Sequence, residues 1–236
     1  MSLLELEGVH KGYKEQVVLR DVSLEIEAGE LVVVWGMRRS GRSTLLRVAA
    51  GIEPPDGGSV RFEGRDLAAH GERLLGGCIG YCRKTLRFTD GQTALDHAMV
   101  GLLSRWVSPA AARGRARDAL ERVGTGRCAG MTQRELSSAE AIRVALARTL
   151  VLEPRLVVID EPVKGVELID RDGILSLLRS LADEGIAVLA SIGESTGLSG
   201  ADRALVLGGG ELRGAPALEL APVVPLRRGS ERRASG

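Results

Sequence analysis

Two short segments of the chain carry residues able to handle a polyphosphate. The first is Gly36-Met37-Arg38-Arg39-Ser40-Gly41-Arg42-Ser43-Thr44. It fits the pattern G-x-x-x-x-G-K-[ST] at every fixed position but one, because Arg42 stands where a lysine is expected. A loop of this kind, entered from a buried strand and left through a helix, points backbone amides and the positive end of a helix dipole at an anion. Arg42 keeps the charge but presents a planar fork wider than an ammonium, so its reach to the outer phosphates differs from that of lysine. Ser43 supplies a hydroxyl of the sort that ligates Mg²⁺ beside a phosphate. The second segment is Asp160-Glu161-Pro162, which ends the apolar run Leu156-Val157-Val158-Ile159. Asp160 is suited to hold Mg²⁺, and Glu161 to orient or deprotonate an attacking water. Either pattern also arises for purely local reasons: a glycine-bearing turn in the first segment, and a helix N-cap followed by proline in the second.

The elements around these segments set their geometry. Leu31-Val32-Val33-Val34-Trp35 is apolar throughout and runs into Gly36, and Ala187-Val188-Leu189-Ala190 has the same character, as strands buried on both faces do. Helical patterns over 43–50, 110–123, 137–152 and 171–184 alternate with these runs, which predicts a parallel sheet wrapped by helices. Near the start, Leu4 and Leu6 alternate with Glu5 and Glu7, and Val22, Leu24 and Ile26 with Ser23, Glu25 and Glu27. That period of two predicts half-buried antiparallel strands. Residues 86–134 contain no strand-like run and read as a helical insertion. Beyond Gly214 the chain turns to Pro, Ala and Arg and reads as a basic, disordered tail.

Composition narrows the function classes. A net charge of +1 gives no footprint for nucleic acid. Cys78, Cys82 and Cys128 are odd in number and lack paired spacing, which fits neither a zinc site nor a disulfide framework and suits a reducing compartment. No apolar run approaches the roughly 20 residues a membrane helix needs, and the N-terminus lacks the layout of a signal peptide. The expectation is a cytoplasmic protein whose membrane work, if any, requires a partner.

The order of motifs resembles that of ABC ATPase domains over nearly the whole chain. Tyr13, in Lys11-Gly12-Tyr13, matches the aromatic that stacks on adenine; 36–44 matches the Walker A loop and 159–162 the Walker B strand. Leu136-Ser137-Ser138-Ala139-Glu140 and the helix through Arg148 resemble the signature motif, and Ala201-Asp202-Arg203 precedes a late strand. The resemblance implies an α/β fold of the P-loop NTPase type: a RecA-like parallel sheet core, an N-terminal antiparallel β subdomain and a helical subdomain insertion. The implied division is one ABC ATPase domain over 1–214, followed by the tail 215–236. Within the domain, 1–85 holds the β subdomain and first half of the core, 86–135 the helical subdomain, and 136–214 the signature helix and second half of the core.

Four departures fall on parts that touch or sense the outer phosphate. Arg42 and Arg39 replace a lysine and a glycine, placing Arg38, Arg39 and Arg42 together in the loop. The signature Gly-Gly-Gln becomes Ser138-Ala139-Glu140, which makes Ser137-x-x-Glu140 a capping box and sets a negative charge where nucleotide would meet the helix. Lys84 stands at the glutamine position, and Ile192 or Gly193 at that of the switch histidine. His10, His70 and His97 lie elsewhere and read as surface or core residues.

The resemblance implies a subunit that binds Mg-ATP through Tyr13, Gly36, Arg38, Arg39, Ser40, Gly41, Arg42, Ser43, Thr44, Lys84, Ser137 and Asp160. Glu161 is then the catalytic group and Ser43 with Asp160 the metal ligands. A second ABC subunit would close head to tail on the first, in a homodimer or heterodimer, and an integral membrane permease would hold both at the inner face of the membrane. The lost contacts imply slow hydrolysis. Two rivals stand beside this reading: a regulatory subunit that binds ATP without turning it over, and a soluble ABC protein outside transport.

Overall fold

The computed structural model describes residues 2–69, 77–83, 88–89, 91–193 and 200–214. Lys84, His70 and the tail 215–236 therefore lie outside the described residues. Strands and α-helices are numbered in chain order. The period-two segments form β1 (Leu4–Tyr13) and β2 (Gln16–Ile26), which pair antiparallel with Leu4 opposite Ile26 and Leu6 opposite Leu24. With β4 (Gly57–Phe62) and β5 (Arg65–Asp66) they make a four-stranded sheet of order β2-β1-β4-β5.

The continuously apolar runs become β3 (Leu31–Trp35), β7 (Leu156–Asp160) and β8 (Ala187–Ile192). Together with β6 (Ile79–Cys82), β9 (Arg203–Gly208) and β10 (Glu211–Gly214) they build a six-stranded sheet of order β10-β9-β3-β8-β7-β6. All neighbours in it are parallel except the β9-β10 hairpin. Burial on both faces explains the unbroken hydrophobicity: Val32, Val34 and Val158 point into one apolar layer, Val33, Val157 and Ile159 into the other.

The first layer is closed by α1 (Arg42–Ala49) and the antiparallel sheet, the second by α4 (Ser138–Leu150) and α5 (Leu168–Asp183). The region predicted as a helical insertion contains α2 (Ala94–Leu103) and α3 (Pro109–Arg122), which pack on α4 through Leu95, Ala98, Met99, Ala116 and Leu120. Alanines on the facing sides let these helices approach closely. Helix α5 begins at Leu168, three residues ahead of the predicted start, because Leu168 and Ile169 are exposed and break the amphipathic pattern there. No helix follows Pro162 directly, so an N-cap with proline does not account for Asp160-Glu161-Pro162. Among the described residues no helix is long and apolar enough to cross a membrane.

Candidate phosphate site at the sheet edge

Strand β8 lies between β3 and β7, so the loop leaving β3 and the carboxylates ending β7 sit one strand apart on the same carboxyl edge of the sheet. Neighbouring strands are about 4.8 Å apart, which leaves a gap that side chains can bridge. They do. Ser43 Oγ donates to Asp160 Oδ2 at 2.7 Å, and Arg42 Nη2 donates to Glu161 Oε1 at 2.9 Å. The intervening strand contributes Ser191, whose hydroxyl donates to Asp160 Oδ1 at 2.6 Å and accepts from the Glu161 amide at 3.0 Å.

The loop is shaped by close approach. A Cβ on Gly36 would lie 2.5 Å from the Leu207 carbonyl oxygen and 2.6 Å from Ser40 Oγ, so only glycine fits where the chain leaves β3. Gly41 has φ 101° and caps α1, and its absent Cβ leaves room for Val18. No side chain caps α1, so its first amides face the loop without a side-chain acceptor. Arg39 adopts φ 64°, a left-handed conformation that costs a non-glycine residue about 1–2 kcal/mol. Glu161 is also left-handed, at φ 51°, and strain of this kind gathers at functional sites.

The three arginines of the loop do not share one environment, contrary to the sequence expectation. Arg38 and Arg39 are exposed, whereas Arg42 is buried at 6 % exposure and committed to Glu161, itself 9 % exposed. The separation follows from position: Arg42 is the first residue of α1 and points under the loop, while Arg38 and Arg39 occupy its outer turn. Lys164 Nζ lies 3.2 Å from Glu161 Oε2, so the glutamate stands between two cations. Among the described residues, Arg42 Nη1 and Ser40 Oγ are buried atoms without a hydrogen-bond partner.

The oxygen pair Ser43 and Asp160 fits a hard cation. No cluster of three or more His, Cys, Asp or Glu side chains able to hold a metal occurs among the described residues, so these oxygens do not form a self-sufficient cage. A magnesium ion bound with phosphates needs only one or two protein donors, a number this pair could meet.

Tyr13 stands at the border of the antiparallel sheet and is 41 % exposed. Arg47 Nη2 donates to its hydroxyl at 3.0 Å, and Glu53 holds Arg47 at 2.9 Å. Lys11 lies 5.9 Å from the Tyr13 ring centroid, and its hydrogen bond to Asp56 raises its pKa. Ser137 N-caps α4, where it forms a complete capping box with Glu140.

That box is the one expected from the Ser137-x-x-Glu140 spacing. Its carboxylate accepts from the Ser137 amide at 3.0 Å and from Arg127 at 3.1 Å. The backbone bond from Ser137 leads in holding its pKa down to about 2. The charge expected to repel nucleotide is thus folded back on the helix start and paired. His97 is buried and stacks on Phe88 with centroids 4.3 Å apart, and burial pushes its pKa down to about 4. His10 accepts from the Asp21 amide, away from the site.

Sequence reasoning missed Ser191, Lys164 and Arg47 as site residues. A polar residue ending a wholly buried strand was the available signal for Ser191. The other two carry none, because their partners are set by the fold.

A parallel sheet whose carboxyl edge joins a glycine-shaped phosphate loop to a Ser-Asp oxygen pair defines a P-loop nucleotide-binding domain. The family model described as ABC transporter matches residues 19–164. The chain is 35 % identical over 221 residues to a lipoprotein-releasing system ATP-binding protein LolD of Myxococcus xanthus, covering 90 % of this chain and 99 % of that protein. It is 33 % identical to a macrolide export ATP-binding/permease protein MacB 1/2 of Paracoccus denitrificans, covering 93 % of this chain and 35 % of that longer protein. Among solved structures, a dimeric bacterial ABC transporter cassette superposes with a TM-score of 0.80 at 26 % identity, covering 89 % of this chain and 96 % of the other. A post-hydrolysis dimer bound to ADP and Pi superposes with a TM-score of 0.80 at 25 % identity and the same coverage. The chain belongs to the ABC transporter family, as an ATP-binding cassette.

Proposed function

We propose that this chain is the ATP-binding subunit of an ABC transporter, binding Mg-ATP at the sheet edge and hydrolysing it slowly in concert with a membrane permease. The observation that carries the reading is the meeting of Arg42 and Ser43 with Glu161 and Asp160 across β8. The α1 amides, Ser40, Gly41 and Thr44 cradle the phosphates, and Tyr13 offers its exposed face to the adenine. Ser43 and Asp160 hold magnesium, which when bound neutralises phosphate charge. Glu161 orients the attacking water once the arginine releases it. A second cassette closes on the first through the Ser137 helix, as the dimeric structural relatives support. Arg127 and the α4 amides remain at that face. The helical unit of α2 and α3, with Lys84 nearby in sequence, carries the contact to the permease at the inner face of the membrane.

The regulatory reading has one specific observation in its favour: Glu161 is ion-paired to Arg42 and Lys164, so both its oxygens are engaged by cations. Phosphate release by the purified chain, with Glu161→Gln as control, separates the two. Turnover abolished by the substitution supports the enzyme; tight binding without turnover supports the regulator.

A further inference from the structure

Three features of the site concern how the Arg42 fork is held. Arg42 uses one guanidinium nitrogen, Nη2, on Glu161, while Nη1 is buried and has no hydrogen-bond partner among the described residues. Gly193, just past β8, sits directly against this pair: a Cβ there would lie 3.4 Å and 3.5 Å from the two guanidinium nitrogens and 3.6 Å from Glu161 Oε1. Its φ lies outside the left-handed region, so the backbone does not require glycine. These are ordinary van der Waals distances, so the glycine marks the strand end that packs against the fork and its carboxylate. The glutamate's other oxygen faces Lys164, so it keeps a counter-charge when the arginine leaves.

We propose that Arg42 is a triphosphate-gated latch: its fork holds Glu161 while the loop is empty, and a terminal phosphate draws it off and frees the carboxylate. This rests on the nucleotide-binding reading above. A buried unpaired donor is costly, and it is satisfied by an anion entering the loop. A terminal phosphate offers a dianionic, multi-oxygen partner that competes with a single carboxylate for a fork able to make two parallel bonds. A diphosphate brings less charge and fewer oxygens to compete with the carboxylate, so the pair is expected to stay closed. Because each binding state excludes the other, Glu161 and the terminal phosphate are linked through one residue, and removing the glutamate charge must favour the triphosphate.

The test is a set of calorimetric titrations of the full chain with magnesium and either ADP or a non-hydrolysable ATP analogue. Glu161→Gln is expected to tighten the analogue about fivefold or more and to leave ADP within about twofold. In an Arg42→Gln background the same change should have no effect on either. If the tightening persists without Arg42, plain charge repulsion accounts for it and the latch is wrong; absence of tightening also overturns it. Should Arg42→Gln not fold, the wild-type chain gives the reading through its Arg42 guanidinium ¹⁵N resonances, assigned with Arg42→Lys. They should shift with the analogue and stay fixed with ADP, and equal shifts would refute the proposal. A wild type that binds neither nucleotide ends the nucleotide-binding reading as well, whereas binding without coupling ends the latch alone.

Discussion

The loop after β3 and the start of α4 both depart from the residues expected of them, and they absorb the change in opposite ways. At the loop, Arg42 is buried and paired through one guanidinium nitrogen with Glu161, 119 positions away in sequence. At α4, Glu140 is satisfied by Ser137 three positions away and by the exposed Arg127. One substitution is tied into a long-range buried pair at the carboxyl edge of the sheet. The other is a local cap that starts a helix and leaves its surface usable. The loop should therefore be costly to alter, and the cap cheap.

Breaking the buried pair from one side is the severest test. Glu161→Ala should destabilise the chain by about 3–5 kcal/mol by leaving the arginine charge uncompensated, read as a fall in the denaturation midpoint. Replacing both partners with apolar residues, Arg42→Met with Glu161→Leu, should recover most of that loss, because an apolar pair carries no desolvation penalty. If the single and double variants are equally unstable, the ion pair is not what holds this edge.

At the helix start, Ser137→Ala should cost about 1 kcal/mol, the usual worth of an N-cap. A smaller gain is expected inside the loop: Arg39→Gly relieves the left-handed backbone and should stabilise by about 0.5–1 kcal/mol, net of the freedom glycine adds to the unfolded chain. Thermal denaturation resolves both.

Acid titration sharpens the comparison further. Glu140 has a folded pKa of about 2 against an ordinary 4.5, so between those values the unfolded chain binds more protons. Its contribution is present above pH 4.5 and lost as pH falls towards 2. His97 has a folded pKa of about 4 against 6.5, so the unfolded chain again binds more protons, and stability falls as pH drops from 6.5 to about 4. Glu140→Gln should abolish the lower step, and His97→Gln the upper. Smallest of all, Arg127→Ala should leave the denaturation midpoint unchanged within measurement error, since that pair is exposed and screened by solvent.

The same contrast accounts for what could be read from sequence. Strands β3, β7 and β8 were legible because burial on both faces leaves an unbroken apolar run. The α4 cap was legible because its two partners lie three residues apart. Helix α2 was only implied by the lack of strands, although Thr93 and Asp96 form a capping box at its start. The fork's choice of Glu161, the Ser191 bridge and the packing of Gly193 against the pair were not legible, since each arises from β8 lying between β3 and β7. Asp160 and Glu161 could be named as a pair of carboxylates, but their opposite environments, hydroxyls around one and cations around the other, belong to the fold.

The most direct measurement of the central claim is calorimetric titration of the intact chain with ATP in excess magnesium, repeated with Asp160→Ala. A saturable single-site heat with thermal protection, sharply weakened by the substitution, is the predicted result. No heat and no protection in the wild-type chain, even with its membrane component present, would contradict it.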